Sequence, residues 1–105
     1  MPTLRKVFHL TCWGAKMSSL AGASFIHLCR FEQLEGVRRR HFGGGRVRVW
    51  ELDEAMLDPT KLVDEDSYGH GSFPHYYDEL PAAAVIRWVD VESSMDLMSA
   101  ETSDE

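Results

Sequence analysis

SFIHLC, residues 24–29, is a short run of β-branched and aromatic side chains with one histidine, His27, at its centre and Gly22 and Ser24 as its boundary. Such a run between turn formers reads as a mostly buried strand. A strand needs partners, so its reading decides what the segments on either side must be. Directly behind it, RFEQLEGVRRRHF (30–42) spaces Phe31, Leu34, Val37 and then His41 or Phe42 along one helical face, with Glu32, Glu35 and the arginines on the other. The triple glycine at 43–45 stops that helix. Ahead of it, LRKVFHL (4–10) reads as a first strand with little contrast between its two faces, and TCWGAKM (11–17) as a short helix capped by Thr11.

Further along, RVRVWEL (46–52) is the cleanest strand, placing Val47, Val49 and Glu51 opposite Arg48, Trp50 and Leu52. DEAMLDP (53–59) carries helix signals, with Asp53 as cap and Pro59 as stop. KLVDE (61–65) is a short strand, DSYGHGSFPHYYDELP (66–81) a long loop, and AVIRWVDV (84–91) the closing strand. Connections this short do not build a doubly wound parallel sheet. The pattern predicts an α+β domain with a largely antiparallel sheet and short helices.

The 105 residues (11.9 kDa) suffice for one domain, and 44% hydrophobic content implies a packed core. The net charge of −6 is unevenly placed: Glu92, Asp96, Glu101, Asp104 and Glu105 stand in a C-terminal stretch that has no basic residue. The remaining body has 11 basic against 12 acidic side chains and is close to neutral, which argues against a nucleic-acid partner despite Arg38, Arg39 and Arg40. Two cysteines, Cys12 and Cys29, form no paired motif and read as reduced thiols. With no signal peptide and no long apolar run, the expectation is a soluble cytoplasmic protein with no membrane partner.

Five histidines are the candidate chemistry. His9 and His27 stand inside expected strands, where each is either a core ring with a satisfied nitrogen or a rigidly held site residue. His41 beside Arg40 suits a helix C-terminus. His70 and His75, with Glu65, Asp66 and Asp78 nearby, offer nitrogen and oxygen donors, but the spacing GHGSFPH matches no compact metal motif and no metal is expected. HLT (9–11) and HLC (27–29) are similar to the paired His-x-Thr/Ser motifs of two-histidine phosphoesterases, where the histidines serve as acid and base. Here a thiol replaces the second hydroxyl and only 18 residues separate the pair. Cys29 lacks an orienting Asn or Asp and reads as a buried, inert thiol.

Taken together, VFHLT, Trp13 with Ala15 behind it, FIHLCRFEQL, VRVWELD, Glu65, FPHYYDELP and AVIRW resemble a small bacterial-type family known as domain of unknown function 952. The resemblance runs over roughly residues 4–91, with the blocks around His27 and His75 in the family's order and Gln33 in register. It implies a fold similar to the ADP-ribosylation domain, a split, mostly antiparallel β structure whose halves form a cleft for NAD. Residues 1–91 would then be one ADP-ribosyltransferase-like domain, and 92–105 an acidic, disordered tail.

The resemblance also implies roles. His9 would hydrogen-bond a ribose hydroxyl, His27 would stack on nicotinamide, and Glu65 would assist the chemistry as the catalytic carboxylate. Phe73, His75 and Tyr76 would wall the cleft. Cleavage of the nicotinamide–ribose bond leaves an oxocarbenium-like carbon that a carboxylate can stabilise. The family's serine after IHL is Cys29 here, which removes a hydroxyl. The expectation is therefore a cleft that binds NAD, ADP-ribose or a related nucleotide without turnover, with an active transferase or a ligand-free structural domain as the alternatives.

Overall fold

The computed structural model describes residues 5–66, 69 and 71–92. Its elements are β1 (Lys6–Cys12), β2 (Ile26–His27), α1 (Leu34–Phe42), β3 (Val47–Asp53), β4 (Leu62–Glu65), β5 (Phe73–Tyr76) and β6 (Val85–Val91), with 3₁₀ turns at Phe31–Gln33, Glu54–Met56 and Ala82–Ala84. The strands form two three-stranded sheets, β1-β3-β6 and β2-β5-β4, paired antiparallel throughout. Among the described residues one isolated β-bridge links the sheets, where Phe8 and Cys29 exchange backbone hydrogen bonds of 2.8 Å in both directions. This is the α+β class with a split antiparallel β structure that the sequence predicts.

Two cores explain the weak contrast along the first strand, since β1 is buried on both faces. Val7 and Leu52 join Ile26, Leu28, Leu57 and Tyr76 in one cluster. Phe8, Leu10, Val47 and Val49 join Cys29, Leu34 and Val91 in the other, against the helix. Glu51 shares the Val47 and Val49 side of β3 and is fully buried, its carboxylate held by Lys6 Nζ at 3.1 Å and by Arg87.

Three local expectations are corrected. Residues 11–17 form no helix: β1 runs on through Thr11 to Cys12, because the Thr11 hydroxyl accepts from Trp50 Nε1 at 3.0 Å and its backbone pairs with Arg48. The expected loop 66–81 contains β5, the middle strand of the second sheet. Pro74 hides it, since proline in a central strand cannot donate to the ladder. Its carbonyl accepts from Leu28 N at 2.9 Å, but the return bond has no donor, and β2 is only two residues long. Finally, Arg38 is not on the solvent face. It is buried, and its guanidinium donates to the carbonyls of Gly44 and Gly45 (3.1 Å to the latter), just past Gly43, whose φ of +62° ends the helix.

Asp53 caps as expected, accepting from Ala55 N at 3.0 Å, although the segment it starts is a 3₁₀ turn. Among the described residues no helix is long and apolar enough to cross a membrane. The acidic tail beyond Glu92 and His70 lie outside the described residues.

Candidate functional site: a cleft at the seam of the two sheets

Where the sheets diverge beyond the Phe8–Cys29 bridge, a cleft of about 330 Å³ opens between β1, β2, β5 and the last turn of α1. That volume lies at the lower end of the range typical of small-molecule sites.

His9 holds the seam. It is 5% exposed, its Nδ1–H donates to the His27 carbonyl at 2.9 Å, and its Nε2 accepts from Ser18 N at 3.2 Å. Only the neutral Nδ1–H tautomer satisfies both bonds. Burial lowers its pKa from the ordinary 6.5; the hydrogen bond to the His27 carbonyl opposes this, and the neighbouring His27 ring adds to the lowering.

His27 ends β2, directly opposite His75 on β5. Their rings meet edge to face with centroids 4.8 Å apart, and Phe25 completes a box, stacked on His75 at 4.2 Å and edge-on to His27 at 4.9 Å. The His27 pKa is lowered, first by desolvation and then by His75 and His41. His75 is buried, and its Nδ1 lies 2.9 Å from Glu65 Oε1. Tyr77 donates its hydroxyl to the same oxygen, and these two bonds hold the Glu65 carboxyl below its usual pKa, Tyr77 contributing most. The geometry is that of neighbours in a sheet: Val63 pairs with His75, so Glu65 is His75's diagonal partner on the same face.

Gln33 ties the helix start to this wall. Its side-chain oxygen accepts from Arg30 N at 2.8 Å and its amide donates to the Ser72 carbonyl at 2.7 Å, immediately before β5. At the cleft's helical side, Arg40 sits with its guanidinium 5.7 Å from the centre of the Phe73 ring, and among the described residues it makes no salt bridge.

Of the residues singled out in the sequence, His9, His27, Cys29, His41, Asp66, Phe73 and His75 line this one cleft. Glu65 does not line it; it stands beside His75 on the neighbouring strand. Tyr76 points the other way, as strand alternation requires: it is 3% exposed in the core, and its hydroxyl accepts from Asp58 N at 3.0 Å. Phe25 and Arg40, to which the sequence assigns no site role, line it as well. Phe25 was legible as the residue two before His27, and Arg40 as the residue one helical turn after Val37, which also lines the cleft. Among the described residues no three His, Cys, Asp or Glu side chains are grouped to hold a metal ion.

The family described as "Protein of unknown function (DUF952)" matches residues 10–88. Crystal structures of protein CC0527 from Caulobacter crescentus and of a double mutant of it share the fold. They have TM-scores of 0.65 and 0.64 at 21% and 22% identity, each covering 83% of this chain and 86% of the other. The search of curated proteins found no match.

Proposed function

The chain belongs to the DUF952 family, and on that premise we propose that its cleft binds a nucleotide of the NAD or ADP-ribose class without turning it over. The observation that carries this reading is the pairing, in one cleft, of a box of flat rings with a guanidinium that makes no ion pair among the described residues. Phe25 and His27 offer ring surface to a base or nicotinamide, with the buried His75 ring as their support. Arg40 offers a fork of donors suited to phosphate. His9 contributes the edge that keeps the sheets together, both of its nitrogens being engaged by backbone. Glu65 Oε1 is already taken by His75 and Tyr77, which favours binding over cleavage of the nicotinamide–ribose bond. Both cysteines are free thiols, Cys12 exposed and Cys29 buried with its pKa raised by desolvation, which suits a reducing cytoplasm.

Calorimetric titration with NAD, ADP-ribose and 2′-phosphorylated analogues tests this. Saturable heat is expected with at least one of them at millimolar concentration or below. Arg40→Ala is expected to weaken it by about 1.5–3 kcal/mol, as for a charge-assisted bond. No heat with any ligand would sink the reading. Release of nicotinamide from NAD that is lost in Glu65→Gln would instead make the protein an enzyme.

A further inference from the structure

His75 is held in the cleft wall by two rings and a carboxylate. Phe25 stacks on it with an interplanar angle of 17°, His27 meets its edge, and Glu65 takes Nδ1. A carboxylate on one imidazole nitrogen sets the tautomer: Nδ1 carries the proton that is donated to Glu65, and Nε2 keeps its lone pair. Tyr77 keeps that carboxylate ionised and in place by donating to the same oxygen. Among the described residues Nε2 makes no hydrogen bond, and the ring that carries it lines the cleft. His9 cannot serve in this way, since its two nitrogens are engaged by the His27 carbonyl and the Ser18 amide.

We infer that His75 Nε2 accepts the hydrogen of a ribose hydroxyl of the bound nucleotide, and that Glu65 is the positioning residue that makes it an acceptor. The inference rests on the nucleotide reading above and adds the atom that tells a ribose from its deoxy counterpart. An acceptor that is buried and pre-oriented discriminates strongly against a ligand that lacks the donor, because the acceptor is then left unpaired. Glu65 acts only through His75, so replacing it changes the nitrogen that carries the proton and leaves the ring itself in place.

Two measurements on the full chain decide it. Long-range ¹H–¹⁵N correlation of the histidine side chains reads the tautomer of free His75. The expected result is Nδ1–H in the wild type, with a shift of the Nε2 resonance on adding ADP-ribose. In Glu65→Leu the ring is expected to move towards Nε2–H while the backbone amide spectrum stays folded. Calorimetry with ADP-ribose against its 2′-deoxy and 3′-deoxy analogues should show at least a tenfold loss for one analogue in the wild type and little discrimination in Glu65→Leu. Nε2–H in the free wild type, or equal affinity for all three probes, overturns the inference while leaving the nucleotide reading standing. No binding of any probe, or of NAD, overturns both.

Discussion

Replacing the His9 ring by a methyl group would strand two backbone groups, the His27 carbonyl and the Ser18 amide, and open a hole where β1 meets β2. The His27 ring is exposed, so truncating it removes surface packing against Phe25 and His75 rather than a buried ring. A buried group left without its partner costs about 1–3 kcal/mol, and the lost ring volume adds to it. His9→Ala is therefore expected to destabilise the fold by about 2–4 kcal/mol, against about 1 kcal/mol or less for His27→Ala. Urea unfolding measures both, and equal losses would contradict the division of labour. The two histidines are hard to tell apart in the sequence because each stands in an apolar, strand-like run. What separates them is the long-range contact from residue 9 to residues 18 and 27, which no local pattern encodes.

At the scale of elements, Gln33 links the strand–helix unit to β5, since one side chain spans from Arg30 N to the Ser72 carbonyl. Gln33→Ala removes both bonds, each worth about 0.5–1.5 kcal/mol net, so a loss of about 1–3 kcal/mol is expected. The sharper expectation is local: amide exchange should quicken around residues 72–76 and 28, where β5 receives Leu28 N, while β3 and β6 stay protected. Uniform acceleration across both sheets would show that Gln33 supports the whole fold rather than this wall. Most elements were legible: the alternation of 46–52 and the short strand before residue 66 stand within a residue or two, while the helical spacing of 31–42 is met by a 3₁₀ turn, Phe31–Gln33, that runs into α1. Those that were not share a cause. Thr11 and Pro74 carry strong local signals, a cap and a breaker, which pairing across the sheets overrides. The site suffered with β5: once 73–76 is a strand, period two sends His75 to the cleft and Tyr76 to the core, a distinction that a loop cannot make.

At the scale of the whole molecule, the histidines that join the two sheets make stability depend on pH. His9 and His27 both have pKa values lowered below 6.5, chiefly by burial, so the folded chain resists the proton that the unfolded chain takes up near that pH. Their contribution is complete above about pH 7 and is lost as pH falls from 6.5 towards the lowered folded values, because in that window the unfolded state binds more protons. The carboxylates Asp58, Asp78, Asp90 and Glu65 are also lowered, by hydrogen bonds to Thr60, Lys61, Arg48 and Tyr77 respectively, from ordinary values of 3.8 for aspartate and 4.5 for glutamate. Their contribution is retained through the histidine window and lost at lower pH. Thermal unfolding should thus show a flat Tm above pH 7, a first decline between about pH 6.5 and 5, and a second below about pH 4. The first decline belongs mainly to His9, the more buried ring, and His9→Asn tests that assignment. The variant should be less stable than wild type at pH 7.5, with the gap narrowing as the pH falls to 5, since only the wild type then has a neutral, buried His9 to protonate. A gap that stays constant across that range would move the pH dependence away from the seam between the sheets.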